Sequence, residues 1–583
     1  MSLGNLSLLA GAPAFLMLVL YTAGNLFGCA HVTKWRSLRM GVWGFLLFFL
    51  SSLGLGSSIL QGTFLPSLFF LLIWTLPYMW VRGHSSVAED QELSRVKSQF
   101  IAGSAGASLL FLLFSYFSGS PWLYVTGGVI MTYSLASAIS YGIYGAVFGS
   151  PFHEEDMLPV LLSNGKESGE FIREQLGYGR ILKGILALAA GLLFYAAALS
   201  YTENPVLSGE NLWITGAAGI LNLFLFVWYF RESYPFKEWR LAKKSIKETK
   251  DDIAAHRENV KNLKLSGEDS RCGTVVLLIG ESANRDHMKV FNPAYPAETT
   301  PWESEQKGKE GWYFFSHAYS CFTQTTRVLE KLLTGMDQYG RSGREHLVSL
   351  IDIAGAAGFK TWWLTNQAES GDLAGYISHT ANEFRGTKGR MAPDENLLPL
   401  FDEIGTAEKS FVVVHMIGSH IRYEDRYPAD FRELDVPGEG KRIRAYDTSV
   451  AYTDKILEKI FEKAKNQLKA DAVIYLSDHG EDMKYTHGTG RFSFDMTRIP
   501  LWVWLSEDYR EKYPDTAEIL KSHENRIFTN DLTFDLISGL LHAVSRNYKN
   551  NKDLSSSAYD LTKETALTMD GTKEIKENFD KVG

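Results

Sequence analysis

The stretch "VIYLSDHGED", residues 473–482, runs from apolar β-type residues straight into an acid and an imidazole, Asp478 and His479. Neighbouring residues on a strand face opposite ways, so the pair converges on one point only where the strand ends and the chain turns. Similar strand ends recur: "VVLLIGES" closes on Glu281, "FVVVHMIGSH" carries His415 and then His420, and His487 follows in "YTHGTG". Carboxylate oxygens and imidazole nitrogens are the ligands of a catalytic zinc or manganese ion. A single histidine is more often a core or surface residue, but several at corresponding strand ends are harder to account for that way. A hydroxyl cluster, Ser320, Thr323, Thr325 and Thr326, precedes a helix-like stretch in "YSCFTQTTRVLEKLLTG". Its simplest role is to cap that helix. Beside a metal, at a helix N-terminus that favours anions, a threonine there could instead lose its proton and attack phosphorus.

These residues need a frame. From Cys272 onward, short apolar runs such as "TVVLLIG", "TWWLT", "SFVVVHMIG" and "IPLWVWL" alternate with helix-length polar stretches. That alternation predicts an α/β domain, a mostly parallel sheet with helices on both faces. Ligands of such sheets sit beyond the carboxyl ends of the strands, where the candidate residues fall. The mean hydropathy of −0.10 averages two unlike halves. Residues 1–232 contain seven long apolar stretches, near 8–28, 40–60, 64–82, 99–118, 122–148, 181–201 and 212–231. Each approaches the roughly 20 residues that cross a bilayer, so an N-terminal multi-span α-helical membrane domain is expected. The first stretch lacks a charged leader and a cleavage site, which predicts a retained helix. A polar insert occupies 149–180, a charged amphipathic connector 233–270, the metal-dependent domain 271–548, and a polar tail 549–583 in which little order is expected. The net charge of −8 argues against nucleic acid. Cys29, Cys272 and Cys321 make no disulfide framework.

As a set, "GES" with "RDH", "ETTP", "GSHIRYEDRYP" and "SDHGED" resemble the lipid-dependent phosphoethanolamine transferases of the alkaline-phosphatase and sulfatase superfamily. "TWWLTNQ" and "GSHIRYEDRYP" resemble in particular the branch that decorates the lipopolysaccharide core. The resemblance covers about 270–545. It implies an alkaline-phosphatase-like fold, with Glu281, Thr325, Asp478 and His479 as zinc ligands and Thr325 as the nucleophile. It further implies that His420 and His487 hold the transferred phosphate or a second, transient zinc, and that His415 is another active-site histidine; manganese is the less favoured metal. In "LLSNGKESGEF" it points to Ser163 and Glu167 as contacts of the donor head group. The implied reaction takes phosphoethanolamine from phosphatidylethanolamine through a phosphoethanolamine-threonine to a lipopolysaccharide core sugar or lipid A. The implied location is the bacterial inner membrane, multi-pass, with the catalytic domain in the periplasm.

Some residues depart from that pattern. Many relatives carry paired cysteines around the nucleophile, where this chain has Cys321 nearby and Cys272 as a distant candidate partner with the pairing left open, and Pro159 stands where some have asparagine. The basic residues Lys34, Arg36, Arg39, Arg82, Arg95 and Lys97, with the run after 231, place the soluble domain in the cytoplasm if seven spans are counted; the resemblance places it outside. The nearest rival is a lipid-dependent phosphoglycerol transferase. A sulfatase activity needs Cys or Ser in a C-x-P-x-R setting, and "CFTQT" lacks the Pro and the Arg. A non-catalytic membrane scaffold would have lost some ligands, yet each expected position is occupied.

Overall fold

The computed structural model describes residues 64–576 except 85–88, 117–119, 149–151, 153–156, 158–160, 162–177, 201–211, 267–271, 368–370, 388–391, 406–408, 437, 485–486 and 488–491. Ser163 and Glu167, and the two expected spans before residue 64, lie outside these described residues. The chain forms two compact units that divide between Ile246 and Lys247.

The first unit is helical. Helices α1 (Phe64–His84), α2 (Glu89–Tyr116), α3 (Pro121–Phe148), α4 (Tyr178–Ser200) and α5 (Leu212–Phe230) fall on the five remaining expected spans. Among the described residues α4 alone is long and apolar enough to cross a membrane; Pro66–Tyr78, Ser98–Phe114 and Gly216–Phe230 are shorter apolar stretches. A side chain at Gly106 would come within 2.7 Å of Phe70 and 2.9 Å of Phe226, so α1, α2 and α5 approach through a residue with no side chain. Large apolar residues face outward, Trp122, Leu193, Trp213 and Ile220 among them. Helix α6 (Phe236–Lys261) corresponds to the expected connector. Its last turns belong to the second unit, where His256 Nε2 meets the Asp352 carboxylate at 2.7 Å and Asn259 donates to the carbonyls of Arg344 and Leu347.

The second unit is built on a seven-stranded sheet. In chain order its strands are β1 (Val275–Gly280), β2 (Trp312–Phe314), β3 (Lys360–Thr365), β4 (Glu383–Gly386), β5 (Ser410–His415), β6 (Ala472–Ser477) and β7 (Leu501–Leu505). They lie in the order β2-β7-β6-β1-β5-β3-β4. Strands β6, β1, β5, β3 and β4 are parallel, while β7 runs antiparallel to β6 and to β2. Strands β1, β5 and β6 are buried along their full length, as continuous Val, Ile and Leu runs demand when helices cover both faces. Their side chains alternate between two cores: Val275, Leu277 and Ile279 enter one, Val276 and Leu278 the other. Helices α7 (Thr325–Leu332), α8 (Leu350–Ala356), α9 (Leu373–Ser378) and α10 (Lys441–Glu462) flank the sheet.

Cys272 and Cys321 are both buried and form no disulfide, which answers the pairing that the sequence left open. One expectation changes. Residues 550–576 of the tail are ordered. Leu554, Leu561, Ala566 and Ile575 are buried, and β8 (Leu567–Thr568) pairs antiparallel with β9 (Lys573–Glu574). Its polar composition hid a few well-spaced apolar residues that each reach the main core.

Candidate active site

The three central strands, β6, β1 and β5, end side by side. Gly280 of β1 pairs with Ser477 of β6, and Ile279 pairs with His415 of β5. The next residues, Glu281 and Asp478, are therefore lateral neighbours at the carboxyl edge, with His479 following and His415 closing β5. Glu281, Asp478 and His479 are wholly buried. His479 Nε2 lies 3.4 Å from Glu281 Oε1 and 3.4 Å from Asp478 Oδ2. One ligand atom each from Glu281, His479 and His487 fit within 4.8 Å of one another.

Thr325 opens α7. The residue preceding it, Gln324, makes no side-chain cap, and the Thr325 hydroxyl turns instead to the acids: Oγ1 is 3.0 Å from Glu281 Oε2 and 3.4 Å from His479 Nε2. The capping role allowed by the sequence is thus not the one Thr325 plays. Thr325, Glu281, Asp478 and His479 meet at one point. The rings of His420 and His487 flank it with centroids 6.3 Å apart, and the His487 and His479 rings are 4.3 Å apart. His415 lies on the far side, edge-on to Trp363 at 6.1 Å. A cavity of about 220 Å³ opens from Thr325 past Trp363, Gln367, Asp372, His415 and His420.

The donor set suits a metal ion. Asp478 Oδ1 accepts from the amides of Ser282 and His479, at 3.1 and 2.7 Å, but Oδ2 is buried without a hydrogen-bond partner among the described residues. A buried carboxylate oxygen rarely goes unpartnered, and this one faces an imidazole nitrogen and a second carboxylate. Two acids, an imidazole and a hydroxyl at bonding separation match the ligand chemistry of zinc. The charges show what their crowding does. Burial, then the neighbouring Glu281 charge, push the Asp478 carboxyl well above its usual range. Burial would raise Glu281 too, but the facing His479, His420 and His487 outweigh it and bring it down to about 2. Burial lowers His479 and His415 to about 4 and lowers His420 as well. His487 goes the other way: burial is outweighed by the buried Glu481, against which its ring rests, and its pKa rises to about 9.

Several residues that hold this arrangement were not foreseen. Gln367, just beyond β3, donates to Glu281 Oε2 at 3.3 Å and to the Met416 carbonyl at 2.8 Å. Asp394 accepts from the amides of Ile417 and Gly418, at 2.9 and 2.8 Å, and fixes the turn that carries His420. Asn530 donates to the Asp478 carbonyl at 2.6 Å and accepts from the Cys321 amide at 2.9 Å. Ser282 adopts φ +57°, rare for a residue with a side chain. Its carbonyl accepts from Tyr446 at 2.8 Å and its hydroxyl donates to Glu281 Oε1 at 2.7 Å. Gln367, Glu481 and Ser282 stood inside quoted motifs; Asp394 and Asn530 gave no local signal.

Residues 273–544 match the family described as Sulfatase. The chain is 30% identical over 277 residues to phosphoethanolamine transferase EptC of Escherichia coli, which covers 43% of this chain and 47% of that protein, about half of its length. It is 25% identical over 439 residues to phosphoethanolamine transferase CptA of Salmonella typhimurium, covering 66% of this chain and 74% of the relative. The integral membrane lipooligosaccharide phosphoethanolamine transferase A of Neisseria meningitidis matches with a TM-score of 0.53 at 18% identity, over 87% of this chain and 97% of that one. At that identity the likeness speaks to fold: a helical N-terminal region followed by an α/β domain.

Proposed function

We propose that the protein transfers phosphoethanolamine from phosphatidylethanolamine to an envelope acceptor, a lipopolysaccharide core sugar or lipid A, through a covalent phosphoethanolamine-threonine at Thr325. One observation carries this: the Thr325 hydroxyl, free of any capping role, points into the acids and imidazole of the strand edge. The names of the relatives support the transferred group. Zinc held by Glu281, Thr325, Asp478 and His479 would supply Lewis acidity and lower the pKa of the hydroxyl. Thr325 Oγ then forms a bond to phosphorus as the bond to the diacylglycerol oxygen breaks, and diacylglycerol leaves with the proton. The acceptor oxygen displaces Thr325 in the second step and returns the hydroxyl. His420 and His487 face the phosphoryl oxygens and stabilise charge that grows in the transition state, so they affect turnover more than binding. Ser163 and Glu167 contact the donor head group, the acid suiting its ammonium. The first unit spans the bacterial inner membrane several times, and the second works in the periplasm.

Intact mass decides the chemistry. Full-length protein incubated with zinc and phosphatidylethanolamine is expected to gain about 123 Da, the increment of the covalent intermediate, and Thr325→Ala none. No gain with phosphatidylethanolamine, but a gain with phosphatidylglycerol, would replace the donor class and overturn the assignment.

A further inference from the structure

The segment after residue 544 lies beyond the sulfatase match, yet it contacts residues on either side of Thr325. We propose that the β8–β9 hairpin is a clamp that positions Thr325, with Thr568 and Asp570 as its positioning residues. This rests on Thr325 being the nucleophile, as proposed above.

The hairpin grips both ends of the Ser320–Lys331 segment. At the leading end, Thr568 Oγ1 donates to the Ser320 carbonyl at 2.7 Å and the Asp570 amide to the Cys321 carbonyl at 3.0 Å. At the trailing end, the Asp570 carboxylate takes Lys331 Nζ at 2.5 Å and Arg327 Nη1 at 3.3 Å, both on α7. Thr325 lies between these two anchors. The turn that presents Asp570 holds Met569, Asp570 and Gly571 at φ +53°, +54° and +80°. Two successive non-glycine residues in the left-handed region are costly and persist only where surrounding contacts over-determine them. Those contacts are present: the Gly571 amide donates to Gln338 Oε1 at 3.0 Å, and Gln338 Nε2 donates back to the Leu567 carbonyl at 2.9 Å.

The opposite side of the segment is tied to the metal edge. The Ser320 hydroxyl is 2.6 Å from the Asp478 carbonyl, and Asn530 bridges that carbonyl to the Cys321 amide. Ser320 and Cys321 are therefore held between a strand end that carries a ligand and a hairpin from the far end of the chain. Both residues are wholly buried. Loss of the Thr568 hydroxyl would leave the Ser320 carbonyl without that partner inside the protein, where an unmade hydrogen bond costs most, and loss of the Asp570 charge would remove the anchor of Lys331 and Arg327. The segment would then relax, and a small displacement of a reacting group is expensive in turnover.

The test uses full-length Asp570→Asn and Thr568→Val, with Asp560→Asn as a control that breaks a different pair of the same tail, Asp560 with Lys552. Two readouts are taken. Amide exchange of the 319–333 region, compared with that of 472–482, reads positioning without reference to any substrate. Steady-state transfer reads catalysis. Asp570→Asn and Thr568→Val are expected to raise exchange in 319–333 about tenfold and to lower kcat about tenfold, with KM for the donor and the melting temperature little changed. Asp570→Glu is expected to restore both, and Asp560→Asn to change neither. Unchanged exchange in both variants, or a loss of turnover that follows the melting temperature alone, overturns the clamp. If the wild type shows no transfer, the proposed function has failed, and exchange alone still decides whether the hairpin holds the segment.

Discussion

At the scale of single residues, the site is defined by which groups are left without ordinary partners. Asp478 Oδ2 has none among the described residues, and the Thr325 hydroxyl reaches inward when capping was open to it. Around them stand residues whose only evident work is to aim others. Gln367 is the clearest: one amide group donates to both Glu281 and the Met416 carbonyl, joining a proposed ligand of β1 to the loop after β5. Outer hydrogen bonds of this kind typically affect metal affinity by about 10–100-fold. Gln367→Leu keeps the bulk and removes the donor. It is expected to weaken zinc binding by at least about tenfold, read by competition with a chelator, while circular dichroism stays that of the wild type. Unchanged zinc affinity would mean that Glu281 is aimed by Ser282 and the backbone alone.

At the scale of elements, the strand edge was legible and its supports were not. Glu281, His415, Asp478 and His479 could be placed because fully buried strands read as unbroken apolar runs, and the first chemical residue after each run marks its carboxyl end. Asp394 could not be placed: its carboxylate works on Ile417 and Gly418 through a fold that joins distant segments. The hairpin was missed because the periodicity of a two-residue strand is too short to detect. Gly418 belongs to the same class of hidden support. It sits at φ +46°, and a Cβ there would lie 2.7 Å from the Glu281 carbonyl oxygen and 2.9 Å from its amide nitrogen. Backbone atoms cannot step aside, so the turn carrying His420 packs against the strand end carrying Glu281 only through a glycine. Gly418→Ala is expected to destabilise the second unit by about 1–3 kcal/mol and to lower turnover beyond that loss of stability, because Glu281 must move. Denaturant unfolding together with zinc titration checks it; wild-type zinc affinity in a destabilised variant would show that the strain is absorbed elsewhere.

At the scale of the whole molecule, the two units follow different rules. The first unit turns large apolar side chains outward; the second hides whole strands and, with them, a number of carboxyls. Burial pushes Asp454 up to about 7, beside Glu303, which moves the same way. Asp553 in the tail is the simplest case to isolate. Burial raises its carboxyl from 3.8 to about 7 although Ser555 and Tyr548 donate to it. The folded state thus binds this proton more tightly than the unfolded chain does. Its contribution to stability is complete below the unfolded value of 3.8 and is lost as pH rises through the folded value of about 7. Asp553→Asn carries no titrating proton and keeps the shape. The wild type is therefore expected to lose melting temperature, relative to Asp553→Asn, as pH rises across that interval, by an amount corresponding to at most a few kcal/mol. The comparison cancels the contributions of Asp454 and Glu303, which both proteins share. Parallel curves for the two proteins would mean that Asp553 is ionised in the folded state, stabilised by its hydroxyl and amide donors. The opposite slope would mean that those donors outweigh burial and hold the carboxyl below its ordinary range.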